Sequence, residues 1–212
     1  MMKKIINFFK NYWYYYKTPA IVVAFILFLI GFIAYERLSF VKPDMIIDCI
    51  SDNVYFTSND IENICTNIEN SGALQDINGD EKKKTVFNTY TASASQTSIG
   101  TEGGSTIELV GVKMAMGDSA IIVADRKVLE KYEKYNIYQD LSEIANKLYV
   151  PEEDRLYSSE GVLVGIRMDN RGIMKKLGIG HKEVFLTLRV SMESVDVEMA
   201  EQAPYVAEYM LK

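Results

Sequence analysis

The longest unbroken apolar stretch of the chain runs from Ala20 to Tyr35 and holds no charge. As a helix its sixteen residues rise about 24 Å, at ~1.5 Å each. Tyr14 to Tyr16 on one side, with Leu38 and Phe40 on the other, extend it toward the ~30 Å of a bilayer core. A run without a polar face does not suit a surface helix, so the pattern predicts a membrane-spanning helix.

Beyond Tyr35 the pattern breaks into shorter periods. Asp44 to Ile50, after Pro43, reads as a strand. Ile61, Ile64, Cys65 and Ile68 recur at helical spacing, with Ser58 as the expected N-cap and Gly72 as the stop. Asp76 to Asp80 is a turn, and Thr85 to Thr91 alternates as a strand does. Ala92 to Ser105, rich in Ser, Thr and Gly, reads as a long surface loop. Ile107, Val110 and Met114 predict a helix over 106–116, and the continuous apolar run 119–123 suits a central parallel strand. A helix follows from Asp125 to Tyr135, and 149–161 is irregular and charged. Strands are predicted at 161–167 and 184–190, and a closing helix at 196–212, with Pro204 expected to kink it.

Strand and helix alternate in this order, which predicts βαβ units and a parallel sheet. The expected fold class is therefore α/β: an N-terminal transmembrane helix followed by one open, mostly parallel sheet domain, with right-handed crossovers. The expected organisation is a basic, aromatic cytoplasmic segment over 1–19, a signal anchor over 20–37, a short stalk over 38–43 and an extracytoplasmic domain over 44–212. The core is expected at Ile46, Ile47, Ile64, Ile68, Val86, Ile121, Ile122, Val123, Leu163 and Val164.

Charge adds direction. Lys3, Lys4, Lys10 and Lys17 precede the apolar run, and no acid occurs before Glu36. That asymmetry places the N-terminus in the cytoplasm and the C-terminal domain outside the cell membrane. Tyr12 to Tyr16, with the single Trp at position 13, form an aromatic belt at headgroup level. Ala34 has Phe32 two residues before it, so a small-x-small cleavage site is missing, and no Cys directly follows the run to take a lipid. The segment beyond Tyr35 carries 19 Lys and Arg against 29 Asp and Glu, a net −10. Such an acidic domain excludes nucleic acid as a partner. Cys49 and Cys65 fall in this outer part, where a disulfide is permitted; a bridge or two free thiols both fit the sequence.

Met116-Gly117-Asp118-Ser119-Ala120-Ile121-Ile122-Val123-Ala124-Asp125 resembles a passage of the extracytoplasmic solute-binding proteins of ABC transporters: helix, small-residue turn, hydrophobic strand, Asp. Tyr132 and then Asp140-Leu141-Ser142-Glu143 follow at the spacing of that family, and the helix entered from Ser194, Val195 and Asp196 resembles its C-terminal helix. The anchored arrangement, with its Tyr-rich flank and Asp-x-Asn-Gly-Asp turn, resembles membrane proteins of clostridial bacteria. The likeness covers about Asp44 to Glu143 and the last helix. It implies a single solute-binding lobe, because only about 50 residues lie between Glu143 and Ser194.

In open α/β sheets, ligands bind at the C-terminal edge of the strands. Ser51, Asp52, Thr91, Ser93 and Asp125 are therefore the expected ligand-binding residues, and an acidic edge there favours cations or neutral sugars over anions. Asp76, Asn78 and Asp80 alternate as calcium ligands do, but Lys82 to Lys84 follow and the Gly and Glu positions of a calcium loop are unfilled. No metal or cofactor is expected. His181 is the only histidine and has no nucleophile and acid in triad order, and Gly100 to Gly104 lacks the phosphate-loop Lys. No catalytic residue is assigned and an enzyme is not expected. The expected function is a single-pass, membrane-anchored extracytoplasmic binding module related to solute-binding proteins, with the lipid bilayer as one partner and a small polar solute or an envelope protein as another. The alternative is a structural or interaction domain of the cell envelope.

Overall fold

Met45, Ile47 and Cys49 alternate with Ile46, Asp48 and Ile50, so the first strand of the domain, β1 (Met45–Ile50), offers an apolar row to one face of a sheet and two isoleucines flanking a carboxylate to the other. In the computed structural model that strand lies inside a six-stranded sheet. The structure describes residues 14, 16–19, 21–33, 41–52, 56–91, 106–169, 171–178, 183–190 and 195–212, with the side chains of 106–109 excepted. It divides into two units, Met1–Val41 and Lys42–Lys212.

In the first unit, one helix, α1 (Tyr16–Ile33), is long and apolar enough to cross a membrane. Its described side chains are exposed throughout. A membrane anchor and a signal sequence share these properties.

The second unit is mixed α/β. After β1 come α2 (Ser58–Glu69), β2 (Thr85–Tyr90), α3 (Thr106–Met116), β3 (Ile121–Asp125) and α4 (Arg126–Tyr132). Then follow α5 (Ser142–Lys147), β4 (Arg155–Tyr157), β5 (Leu163–Arg167), α6 (Gly172–Lys176), β6 (Val184–Leu188) and α7 (Val197–Leu211). The strand order is β2-β1-β3-β6-β5-β4. β2, β1 and β3 pair in parallel, whereas β3–β6, β6–β5 and β5–β4 are antiparallel. The sheet is thus mostly antiparallel by pairing, which corrects the expectation of a mostly parallel one. The cause is β6, which enters between β3 and β5 against both. β5 consequently still runs in the direction of β1, β2 and β3.

Helices cover both faces. Ile121 and Val123 join Ile47, Ile64, Ile68, Leu186, Val206 and Met210 in one core, under α2 and α7. Ile122 and Ala124 join Ile50, Met114, Leu129, Tyr132 and Phe185 in the other, under α3 and α4. Each Ile, Leu, Val, Phe or Met among them contributes roughly 1.5–3 kcal/mol when fully buried. Of the ten expected core residues, Ile46 and Val86 are only half-buried. They are paired neighbours, Val86 on the edge strand.

Local chemistry shifts several predicted boundaries. Thr57, not Ser58, caps α2: its hydroxyl accepts from the Asp60 N–H at 3.2 Å, and the Asp60 carboxylate accepts from the Thr57 N–H at 2.9 Å. That reciprocal pair is a capping box with Asp in the Glu position. α4 ends at Tyr132, short of the predicted Tyr135; a 3-10 turn over 133–135 follows, and Asn136 closes it with φ +52°. β3 starts two residues later than predicted, and β4, from the stretch read as irregular, adds an edge strand. Within 76–82, Asp76 accepts from the N–H groups of Gly79 and Glu81, both at 2.8 Å, and Asp80 from Lys82 at 2.9 Å. These carboxylates hold the turn. Among the described residues no cluster of three or more His, Cys, Asp or Glu has the arrangement of a metal site.

Candidate functional site

β1, β2, β3 and β5 run one way, so Ser51, Thr91, Asp125 and Arg167 stand at one edge of the sheet. The side chain of Asp125 turns toward β1 and makes no cap bond to its own helix, α4. Its Oδ1 accepts from Ser51 Oγ at 2.6 Å and its Oδ2 from the Asp52 N–H at 2.9 Å. Ser51 and Asp125 are 5% and 7% exposed, so this is a built-in brace between the ends of β1 and β3. Charge-assisted bonds of this kind are about twice as strong as neutral ones. The brace brings together Ser51, Asp52 and Asp125 of the expected site. Thr91 lies one strand away, exposed at the end of β2. Ser93, His181 and the loop 92–105 lie outside the described residues.

Beside the brace opens a half-open cleft of about 790 Å³, within the size range of small-molecule sites. Asp52 and Asp125 form one wall, α4 another, and Arg167 and Glu183 from the ends of β5 and β6 a third. Val110, Val128 and Tyr132 supply apolar surface. The charged lining is four cations, Arg126, Lys127, Lys131 and Arg167, against three carboxylates, Asp52, Asp125 and Glu183. With Asp169 paired to Arg167 the charges balance, so this edge carries both signs where an acidic one was expected. The domain's acidity lies elsewhere on its surface.

Three of the cations have defined partners. Arg167 gives Nε and Nη2 to Asp169 Oδ1 and Oδ2, at 2.6 and 2.8 Å, a bidentate pair. The Arg126 guanidinium lies 5.2 Å from the centre of the buried Phe185 ring, and Lys131 Nζ lies 5.2 Å from that of Tyr132. Reasoning from sequence missed Arg167, Lys131, Tyr132 and Glu183. Arg167 was legible as a strand end, but not as a neighbour of Asp125, because the insertion of β6 sets that proximity. A second depression, of about 450 Å³, is lined by Glu130, Glu133, Ser159 and Glu160. It opens at the opposite edge, by the β4–β5 turn, where Glu133 already accepts from the Ser159 N–H and hydroxyl.

The cysteines sit apart from this chemistry. Both are free thiols, Cys49 buried in β1 and Cys65 half-buried in α2. Burial, with the Asp125 and Asp48 carboxylates nearby, pushes the Cys49 thiol far up. Burial and Glu69 push Cys65 up to about 11. Neither is a ready nucleophile at neutral pH.

Asp169 yields a pH prediction. Burial favours its neutral form, but the Arg167 hydrogen bonds and charge, with the N–H groups of Asp169 and Glu183, outweigh it and hold the carboxyl below its ordinary range. A depressed carboxyl stabilises the fold above its unfolded-state pKa of 3.8, and that contribution is lost as pH falls through the folded-state value. Asp169→Asn should therefore destabilise the domain at pH 7 and flatten the acid limb of its stability curve below about pH 4. Denaturant melts from pH 2.5 to 7 check it; an unchanged acid limb would exclude the pair as a stabilising contact.

No family model, curated protein or solved structure matches the chain.

Proposed function

We propose that the chain is a membrane-anchored extracytoplasmic binding module, related to the solute-binding proteins of ABC transporters, that holds a small polar solute without transforming it. The observation that carries this is the cleft of about 790 Å³ at the strand ends, where charged groups of both signs converge on an apolar floor. Further support comes from α1 and from the lysines that precede it. Among the described residues the cleft is bounded by one sheet domain and stands half open, so affinity should be micromolar or weaker.

The test is a thermal-shift screen of the detergent-solubilised full chain against neutral sugars, amines, carboxylates and phosphate esters. A ligand at 100 times its Kd raises stability by about 2.7 kcal/mol. Stabilisation by any class, weakened by Arg126→Gln or Lys131→Gln in the cleft lining, supports a solute site. No stabilisation across the whole panel rejects it in favour of an envelope interaction domain.

The anchor has its own test. Protease added to intact cells should remove Lys42–Lys212 and spare the N-terminus. Survival of the domain with loss of an N-terminal tag would reverse the topology.

A further inference from the structure

We infer that the solute held in the cleft is a small organic anion with an apolar body, its charged group received by Arg126 together with Arg167; this rests on the binding function proposed above. The cleft's four cations face three lining carboxylates and Asp169, the partner of Arg167, so its charge is balanced in a protein whose net charge is −6. A charge-balanced cleft lets an anion approach where a uniformly acidic surface would repel it over a Debye length of about 8–10 Å.

The carboxylates are also less available than their number indicates. Both oxygens of Asp125 accept hydrogen bonds from the end of β1, at 2.6 and 2.9 Å, so its charge is already spread over fixed donors. Arg126 differs. Among the described residues it makes no ion pair, and its guanidinium lies 5.2 Å from the centre of the Phe185 ring. A guanidinium held over a ring face by cation–π attraction keeps its N–H groups to donate to an oxyanion. Arg167 is oriented by Asp169 through Nε and Nη2, leaving the N–H groups of Nη1 as donors beyond that pair. Val110, Val128 and Tyr132 between these charges accept a hydrocarbon or aromatic body rather than a sugar ring.

Carboxylate and phosphate esters share this recognition chemistry, and matched probes separate them. The full chain in detergent is titrated calorimetrically with benzoate, phenyl phosphate, benzamide and benzylamine, four molecules with one ring and different head groups. At least one anion should bind, benzamide and benzylamine at least tenfold more weakly, and raised salt should weaken the anion. Arg126→Gln should weaken it by about tenfold or more, the scale of one charge-assisted hydrogen bond, with Arg126→Lys intermediate. Lys131→Gln serves as a second variant should Arg126→Gln fail to fold. Benzamide or benzylamine binding as tightly as either anion, or anion affinity indifferent to Arg126→Gln, overturns the anion assignment. Binding of only sugars in the wider screen also overturns it while the solute-binding function stands. Silence of every compound in both experiments removes that function as well.

Discussion

Arg189→Met should lower the unfolding midpoint of the α/β domain by about 10 °C. Arg189 is 1% exposed, yet it carries a guanidinium. Its Nε donates to the Ser119 carbonyl at 2.9 Å, Nη1 to Met114 at 2.7 Å and Nη2 to Lys113 at 2.8 Å. Two of these carbonyls belong to the last turn of α3, where the helix leaves acceptors unpaired and carries partial negative charge. Burial lowers the pKa of Arg189, but a guanidinium starts so high that it stays protonated. One cation thus ties the end of α3 to the start of β3. A methionine fills the volume and strips the Ser119 and Met114 carbonyls of their donor, at about 1–3 kcal/mol each before relaxation, while the Lys113 carbonyl keeps the Gly117 N–H at 2.9 Å. A net loss of about 3 kcal/mol, at roughly 2–4 °C per kcal/mol for a domain of this size, gives the expected shift. Arg189→Lys should lose most of the same stability, since one ammonium cannot span three carbonyls in the plane of a guanidinium. Thermal unfolding followed by circular dichroism measures both, and a midpoint unchanged in either variant would contradict the assignment.

Gly172→Ala should be of comparable severity for a different reason. Gly172 opens α6 with φ +56°, and a Cβ there would lie 1.8 Å from the Met210 carbonyl oxygen and 2.7 Å from its carbon. These are backbone atoms of α7, so no side-chain rotation relieves the overlap. The left-handed conformation costs an alanine about 1–2 kcal/mol, and the forced separation of α6 from α7 adds roughly 1–3 kcal/mol. Gly161→Ala is the control, because Gly161 has φ +80° but nothing within 4 Å of its Cβ. It should show the conformational cost alone. Equal melting points for the two variants would mean that α6 does not press on α7 as described.

What could be read beforehand divides along the range of the interactions involved. α3 is visible in the spacing of Val110 and Met114, and β1 in the run after Pro43, because helix and strand periods are local. The turn at Asp76 is equally local, with its side chains bonding N–H groups two to five residues away. The strand order is not local. Nothing within Val184 to Leu188 indicates that it pairs with β3 on one side and β5 on the other; a continuous apolar strand suits either direction. The candidate site followed the same division. Ser51, Asp52 and Asp125 come from adjacent parallel strands, whose ends any βαβ layer brings together. Arg167 and Glu183 reach them only through the antiparallel insertion of β6, so the basic side of the cleft was missed together with the topology. Arg189, an arginine just past an apolar strand, carries no local sign that it will be buried.

The position of β6 also governs the order in which the domain can be assembled. A chain emerging from its N-terminus can pair β1, β2 and β3 early, and β4 with β5 soon after, but these two partial sheets share no strand. Each keeps an open edge until Val184–Leu188 has emerged to stitch them together. Closing contacts this distant in sequence is slow, and open edges invite pairing with other chains in the interval. A chain cut before Val184 therefore does not yield a smaller version of the domain; it yields two unsealed fragments, each a target for quality-control proteases.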